Sequence, residues 1–205
     1  TDLFRRRSIQ QAADQNVKAP TGATVWTVDD AEAVLTNTRP LAAHWDNGEG
    51  LRFTRKISVD GDFLFTVEQT VQNSSEKPVT LYPYSLVARI DPAKTEDFFQ
   101  LHEGPLGVFD RTLKEVNYTE LQEKNTQTVE STGGWIGITD QFWLAAVALD
   151  QQSKVTASFN LTRPGGRDRY QTDLRGDAVT ISPGESRTFK DFVFAGAKQV
   201  PLLDR

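Results

Sequence analysis

The 205-residue chain contains no cysteine, which excludes a disulfide framework and thiolate chemistry, and its length lets it bury roughly 70% of its unfolded surface without covalent staples. Lys and Arg number 23 against 28 Asp and Glu, a net charge of -5. That balance argues against a nucleic-acid-binding domain, whose footprint is a basic stripe, and no apolar run approaches the ~20 residues that a membrane-spanning helix needs.

The first residues, TDLFRRRSIQQAADQN, lack the apolar core of a signal peptide. With no methionine anywhere, the chain is expected to be an excised part of a longer protein. Residues 1–23 read as an N-terminal arm, with a short helix expected over 7–15. The basic run Arg5, Arg6, Arg7 is read as a solvated segment, with membrane-surface contact as the sharper alternative.

From Thr24 onward apolar residues alternate with a period of two. Strands are predicted over 24–28, 51–59, 63–72, 79–90, 135–138, 142–149, 155–162, 178–181 and 187–194. Turn-forming segments separate them, among them DNGEG, VDGD, NSSEKP, RPGGRD and SPGES. Many short strands so punctuated indicate an all-β sandwich or barrel.

One hairpin is predicted in register. A three-residue loop over 60–62 pairs Val59 with Phe63 and Ile57 with Phe65, which keeps the apolar rows of both strands on one face; a two-residue loop would slip them onto opposite faces. Downstream, GGWIGITDQFWLAAVALD holds two tryptophans and an apolar run over 142–149 that lacks alternation. That is the pattern of a strand buried on both faces, with a short helix as the competing reading of its alanines. Trp135, Phe142, Trp143, Phe63 and Phe65 are accordingly predicted as core anchors, and Trp135→Ala or Trp143→Ala is expected to cost about 3–5 kcal/mol.

Candidate chemistry is sparse. The two histidines, His44 and His102, are read as surface residues: His102 adjoins Glu103, but neighbours on a strand point to opposite faces. TVDDAE lacks the D-x-D-x-D-G spacing of a calcium loop and is read as a solvated turn. RPGGRDR lacks the ending of a phosphate-binding loop and is read as a long hairpin loop. Asn73 opens an N-S-S sequon, relevant only to a eukaryotic secretory setting. Aromatics such as Phe98, Phe99, Trp135, Phe142 and Trp143 could line a groove for carbohydrate or peptide, but packing is the favoured reading. No catalytic, cofactor-binding or metal-binding residue is predicted from these patterns, and an enzyme is disfavoured.

Four segments together resemble one family: the run from WDNGEG to SLVARI, FFQLHEGPLGVFDRTLKEVNYTEL, GGWIGITDQFWLAAVAL, and RYQTDLRGDAVTISPGESRTFKDFVFAGAK. They are similar to the large periplasmic domain of the YidC membrane-protein insertases of Gram-negative bacteria, over about residues 24–198. The resemblance implies a β-supersandwich of the galactose mutarotase type over 24–198, with a C-terminal helix beginning in 199–205 and leading to the membrane. It further implies a non-catalytic, cofactor-free domain on the periplasmic side of a multi-pass inner-membrane protein. The parent protein would assist insertion and folding of inner-membrane proteins, alone or with the Sec translocon. The implied partners are Sec accessory proteins of the SecDF type and nascent inner-membrane proteins, with no nucleic acid. A carbohydrate-binding or mutarotase-like domain is the alternative, and it would need an acid and a base placed in one cleft.

Overall fold

The computed structural model describes residues 17–92 and 102–198, together with the backbone of 8–11. Fifteen strands and one short helix follow in chain order: β1 Ser8–Gln11, β2 Thr27–Val28, β3 Leu41–Asp46, β4 Leu51–Val59, β5 Leu64–Asn73, β6 Val79–Ile90, β7 Gly104–Phe109, β8 Thr112–Glu115, α1 Tyr118–Lys124, β9 Thr126–Thr132, β10 Trp135–Thr139, β11 Trp143–Ala148, β12 Lys154–Thr162, β13 Arg169–Gly176, β14 Val179–Ile181 and β15 Ser186–Ala197. They form two antiparallel sheets. One runs β1-β6-β13-β12-β9 with β14 also on β6; the other runs β2-β3-β4-β5-β15-β11-β10-β7-β8. The all-β sandwich expected from the period-two pattern is present.

Two apolar clusters fill the space between the sheets. The larger gathers Ile136, Ile138, Ala145 and Val147 from one sheet against Val87, Phe159, Tyr170 and Leu174 from the other. Phe109 meets Phe159 edge-on, 6.0 Å between ring centres and 86° between planes, a geometry that adds quadrupole attraction to area burial. The smaller cluster joins Leu51, Phe53 and Val71 to Val79, Leu81 and Ile181, with Trp26, Trp45 and Phe189 packed against it.

Several expectations need correction. The β4–β5 hairpin keeps the predicted faces but not the register: Val59 pairs with Phe65 and Ile57 with Val67. The shift of two residues preserves parity. Its cause is Asp60, whose carboxylate accepts the N–H groups of Asp62 (2.8 Å) and Leu64 (3.0 Å), drawing Phe63 into the loop at φ 63°. Phe63 is therefore 58% exposed and no core residue. Phe142 and Trp143 are likewise exposed, at 64% and 56%. Trp143 shares the inward face of β11 with Ala145 and Val147, but the last inward side chain of β6 is charged Arg89, which reaches Asp140 (3.6 Å), and among the described residues neither apolar cluster extends to the ring. Trp135 and Phe65 are half-buried and belong to neither cluster. The tryptophans that pack are Trp26 and Trp45.

Residues 142–149 fold as strand, not helix, apart from Phe142 and Leu149 at its ends. Where a helix was expected over 7–15, the segment Ser8–Gln11 pairs with β6; the polar alternation of SIQQ suits an edge strand. β3, β7, β8, β9, β13 and α1 went unpredicted. β9 and β13, TQTVEST and RYQTDLRG, carry polar β-branched residues where apolar ones were sought. GPLGVF of β7 reads as a turn because of its Gly and Pro, yet Pro105 lies just beyond the β8 ladder, which begins at Leu106. The RPGGRD segment is the β12–β13 loop with both glycines at positive φ, as expected. Phe98, Phe99, residues 5–7 and the C-terminal helix expected from 199 onward lie outside the described residues.

Candidate functional site

β15 is paired with β5 from Ser186 to Phe194, but with β11 only from Phe192 to Ala197. Among the described residues, 186–190 therefore has one ladder edge without a partner strand. The chain turns away there because β11 ends at Ala148 and Asp150 builds a turn, accepting Gln152 N–H (3.2 Å) and Ser153 Oγ–H (2.9 Å). Beside the open edge lies a groove of about 1030 Å³, lined by Pro83, Leu149, Lys154, Val179, Phe189 and Asp191 among others. An unpaired edge presents alternating N–H and C=O groups to any extended chain that reaches it, and charged side chains such as those of Arg187 and Lys190 are the usual guard against indiscriminate pairing.

A polar seam runs inward from this groove between the two apolar clusters. Asp191 is 1% exposed, and its Oδ2 accepts Ser85 Oγ–H from the opposite sheet (2.9 Å) and Gln69 Nε2–H (3.1 Å). Gln69 Oε1 in turn accepts Arg55 Nη2–H (3.1 Å), and the Arg55 guanidinium lies 4.3 Å over the Trp26 ring. A buried carboxylate holds its charge only with such donors. Here they tie β4, β5, β15 and β6 together, so the seam fixes how the open edge sits against the facing sheet.

The histidines lie apart from the groove. Nδ1 of His44 is 2.7 Å from Asp29 Oδ1 on the neighbouring strand edge, and Nε2 of His102 is 3.0 Å from the Pro105 carbonyl. Both are half-buried at the surface, each with a local partner. At the sandwich end nearest His102, burial pushes the Tyr118 hydroxyl up to about 12 against the opposing pull of Arg89, and Tyr118 packs 4.4 Å from Tyr170. In TVDDAE, Thr27 and Val28 form β2 and the remaining four residues are an exposed turn, and among the described residues no cluster of three metal-ligating side chains occurs.

The sequence profile of the YidC periplasmic domain family matches residues 7–205. The chain belongs to that family. It is 41% identical over 195 residues to a membrane protein insertase YidC of Methylorubrum extorquens, covering 90% of this chain and 31% of that protein. To a YidC of Rickettsia africae it is 38% identical, covering 93% and 34%. The chain thus spans about a third of the length of these relatives. Among solved structures, a galactose mutarotase related enzyme of Lactobacillus acidophilus superposes with a TM-score of 0.59 at 10% identity, over 86% of this chain and 74% of that one. At such identity the likeness shows the fold alone, and it is the mutarotase-type sandwich expected from the resemblance. As a YidC periplasmic domain the chain is periplasmic.

Sequence reasoning assigned this YidC domain no binding residues and missed the groove. One signal was legible. In SRTFKDFVFAGA, Asp191 falls on the inward parity with Phe189, Val193 and Ala195, and a carboxylate in an apolar row marks a buried polar network. The end of the β11 ladder at Ala148 was not legible, because it depends on which strands become neighbours.

Proposed function

We propose that this domain is a non-catalytic docking module of a membrane-protein insertase, and that the groove along the open edge of β15 receives an extended segment of a Sec accessory protein or of an emerging inner-membrane protein. The observation that carries this reading is the stretch 186–190, which among the described residues has no strand on one side, beside a groove lined by Leu149, Val179 and Phe189. Strand addition supplies affinity through main-chain hydrogen bonds, and alternate side-chain pockets supply selectivity. The carbohydrate alternative is disfavoured because, among the described residues, neither histidine lines the groove to supply the acid or base that a mutarotase needs.

Site-specific photocrosslinking within the full-length protein in membranes tests the proposal. A photoreactive residue at Thr188 or Lys190 is expected to capture a Sec component or a nascent chain. One at Leu113, exposed on β8 and away from the groove, is expected to capture neither. Equal yields from all three positions, or none from any, would overturn the groove assignment.

A further inference from the structure

Among the described residues, the exposed phenylalanine and tryptophan side chains are Phe63, Phe142 and Trp143, and they occupy one end of the sandwich. Two strand pairings and one adjacency in sequence place them there. Trp143 lies opposite Ala197 at the close of β15; Phe194, three residues earlier, lies opposite Leu64; and Phe63 precedes Leu64 in the loop. The Asp140 carboxylate holds the tip rigid by accepting the N–H groups of Phe142 (3.1 Å) and Trp143 (2.8 Å), so both rings are presented on a fixed turn.

The chain's own connections point to the same end. β15 runs toward it, and the N–H of Lys198, the residue after β15, bonds to the Phe142 carbonyl (2.8 Å). β6 also runs toward it, bringing Arg89 to Asp140, and β1 lies antiparallel to β6, with Ser8 opposite Ser85 and Gln11 opposite Leu81. β1 therefore runs away from this end and β15 runs toward it. About two-thirds of each relative named membrane protein insertase lies outside the matched segment, since this chain spans 31% of one and 34% of another.

We propose that the Phe142–Trp143 turn, with Phe63 beside it, is a lipid-contact surface that seats the domain on the bilayer, its rings at the headgroup level. Tryptophan beside phenylalanine is the side-chain chemistry of a membrane–water interface, where an apolar body meets acyl chains and the indole N–H stays hydrated. The acidic chain gains no electrostatic pull toward anionic lipid, so the contact is apolar and depends on tethering: held at the bilayer, even weak insertion is populated through effective concentration. This site is separate from the β15 groove and stands or falls independently of it.

The test uses the 205-residue chain carrying a C-terminal hexahistidine tag, held on vesicles of phosphatidylethanolamine and phosphatidylglycerol that contain nickel-chelating lipid. A fraction of phosphatidylcholine with brominated acyl chains serves as a contact quencher. Tryptophan emission is expected to shift to the blue and to be quenched, and Trp143→Ser or the pair Phe63→Ser and Phe142→Ser is expected to abolish the quenching while the circular dichroism and melting of the chain stay unchanged. Absence of quenching in the tethered parent overturns the proposal. So does quenching that survives in both variants, since another surface then meets the lipid. Concentration-dependent self-association without vesicles, lost in Trp143→Ser, would assign the rings to a second copy and overturn it equally. Groove crosslinks from Lys190 are expected to persist in every variant, which separates failure here from failure of the docking reading.

Discussion

Trp143 and Val147 stand on the same face of one strand and end in different environments: Val147 is buried against the facing sheet, whereas Trp143 is more than half exposed. Residue type alone would rank them the other way. What separates them, among the described residues, is the opposing layer, which offers Val87, Leu174 and Phe159 over the body of the hairpin and charged Arg89 toward its tip. Burial belongs to the pair of facing surfaces, and a period-two pattern sees one of them.

The largest effect expected from that contrast lies in the covered half. Phe159 is fully buried between Phe109 and the β10–β11 hairpin, so Phe159→Ala removes both transfer free energy and packing, at about 3–5 kcal/mol. A urea midpoint lowered at unchanged m-value checks it. A parent-like midpoint would mean that the two sheets do not pack here.

The polar seam should come next. Asp191→Ala leaves Ser85 Oγ–H and the Gln69 amide without their acceptor inside the sandwich, an expected loss of about 2–3 kcal/mol. Ser85→Ala, which removes a donor and leaves Asp191 its bond from Gln69, should cost less. If the two variants melted together, the seam would not be organised around the carboxylate.

Tyr118 sharpens the same contrast through pH. Unfolded, its hydroxyl titrates near 10, while burial in the fold holds it to about 12. Between those values the unfolded chain has released a proton that the folded chain keeps, so stability falls as pH rises. The contribution is whole below pH 10 and gone above pH 12, on the order of 2 kcal/mol. Unfolding midpoints at pH 9 and pH 11.5 should differ more in the parent than in Tyr118→Phe. An identical pH slope in the two chains would show that the hydroxyl is not held in its neutral form by the fold.

How much of this was legible in the sequence follows from the same physics. β4 and β6 were predicted to the residue because apolar residues at alternate positions, Leu51, Phe53 and Ile57 in one and Val79, Leu81 and Val87 in the other, outweigh the polar residues on the same faces. β13 was missed because Thr172 faces inward as a fully buried residue, its hydroxyl 3.5 Å from the Val87 carbonyl, and a polar side chain so satisfied passes for surface. The β4–β5 register slipped by two because an Asp60 carboxylate, and not the apolar pattern, decides where that loop closes. The groove could not be read at all: it exists only where β11 stops and β15 continues.

The smallest expected effect is also the one that most directly opposes the pattern-based reading. Were Trp143 a core anchor, replacing it with alanine would cost about 3–5 kcal/mol. With more than half its surface already in water, the ring has at most about 1 kcal/mol of burial left to lose. Its backbone N–H bond to Asp140 survives the substitution, so the turn itself should persist. Trp143→Ala is therefore expected to unfold near the parental urea midpoint, and Phe142→Ala likewise. A large loss in either would mean that the tip is covered after all and that its aromatics serve packing, which would remove the basis for placing this end against the membrane. A small loss, beside the large one at Phe159, would leave two exposed aromatics on a rigid turn with no structural task in the domain.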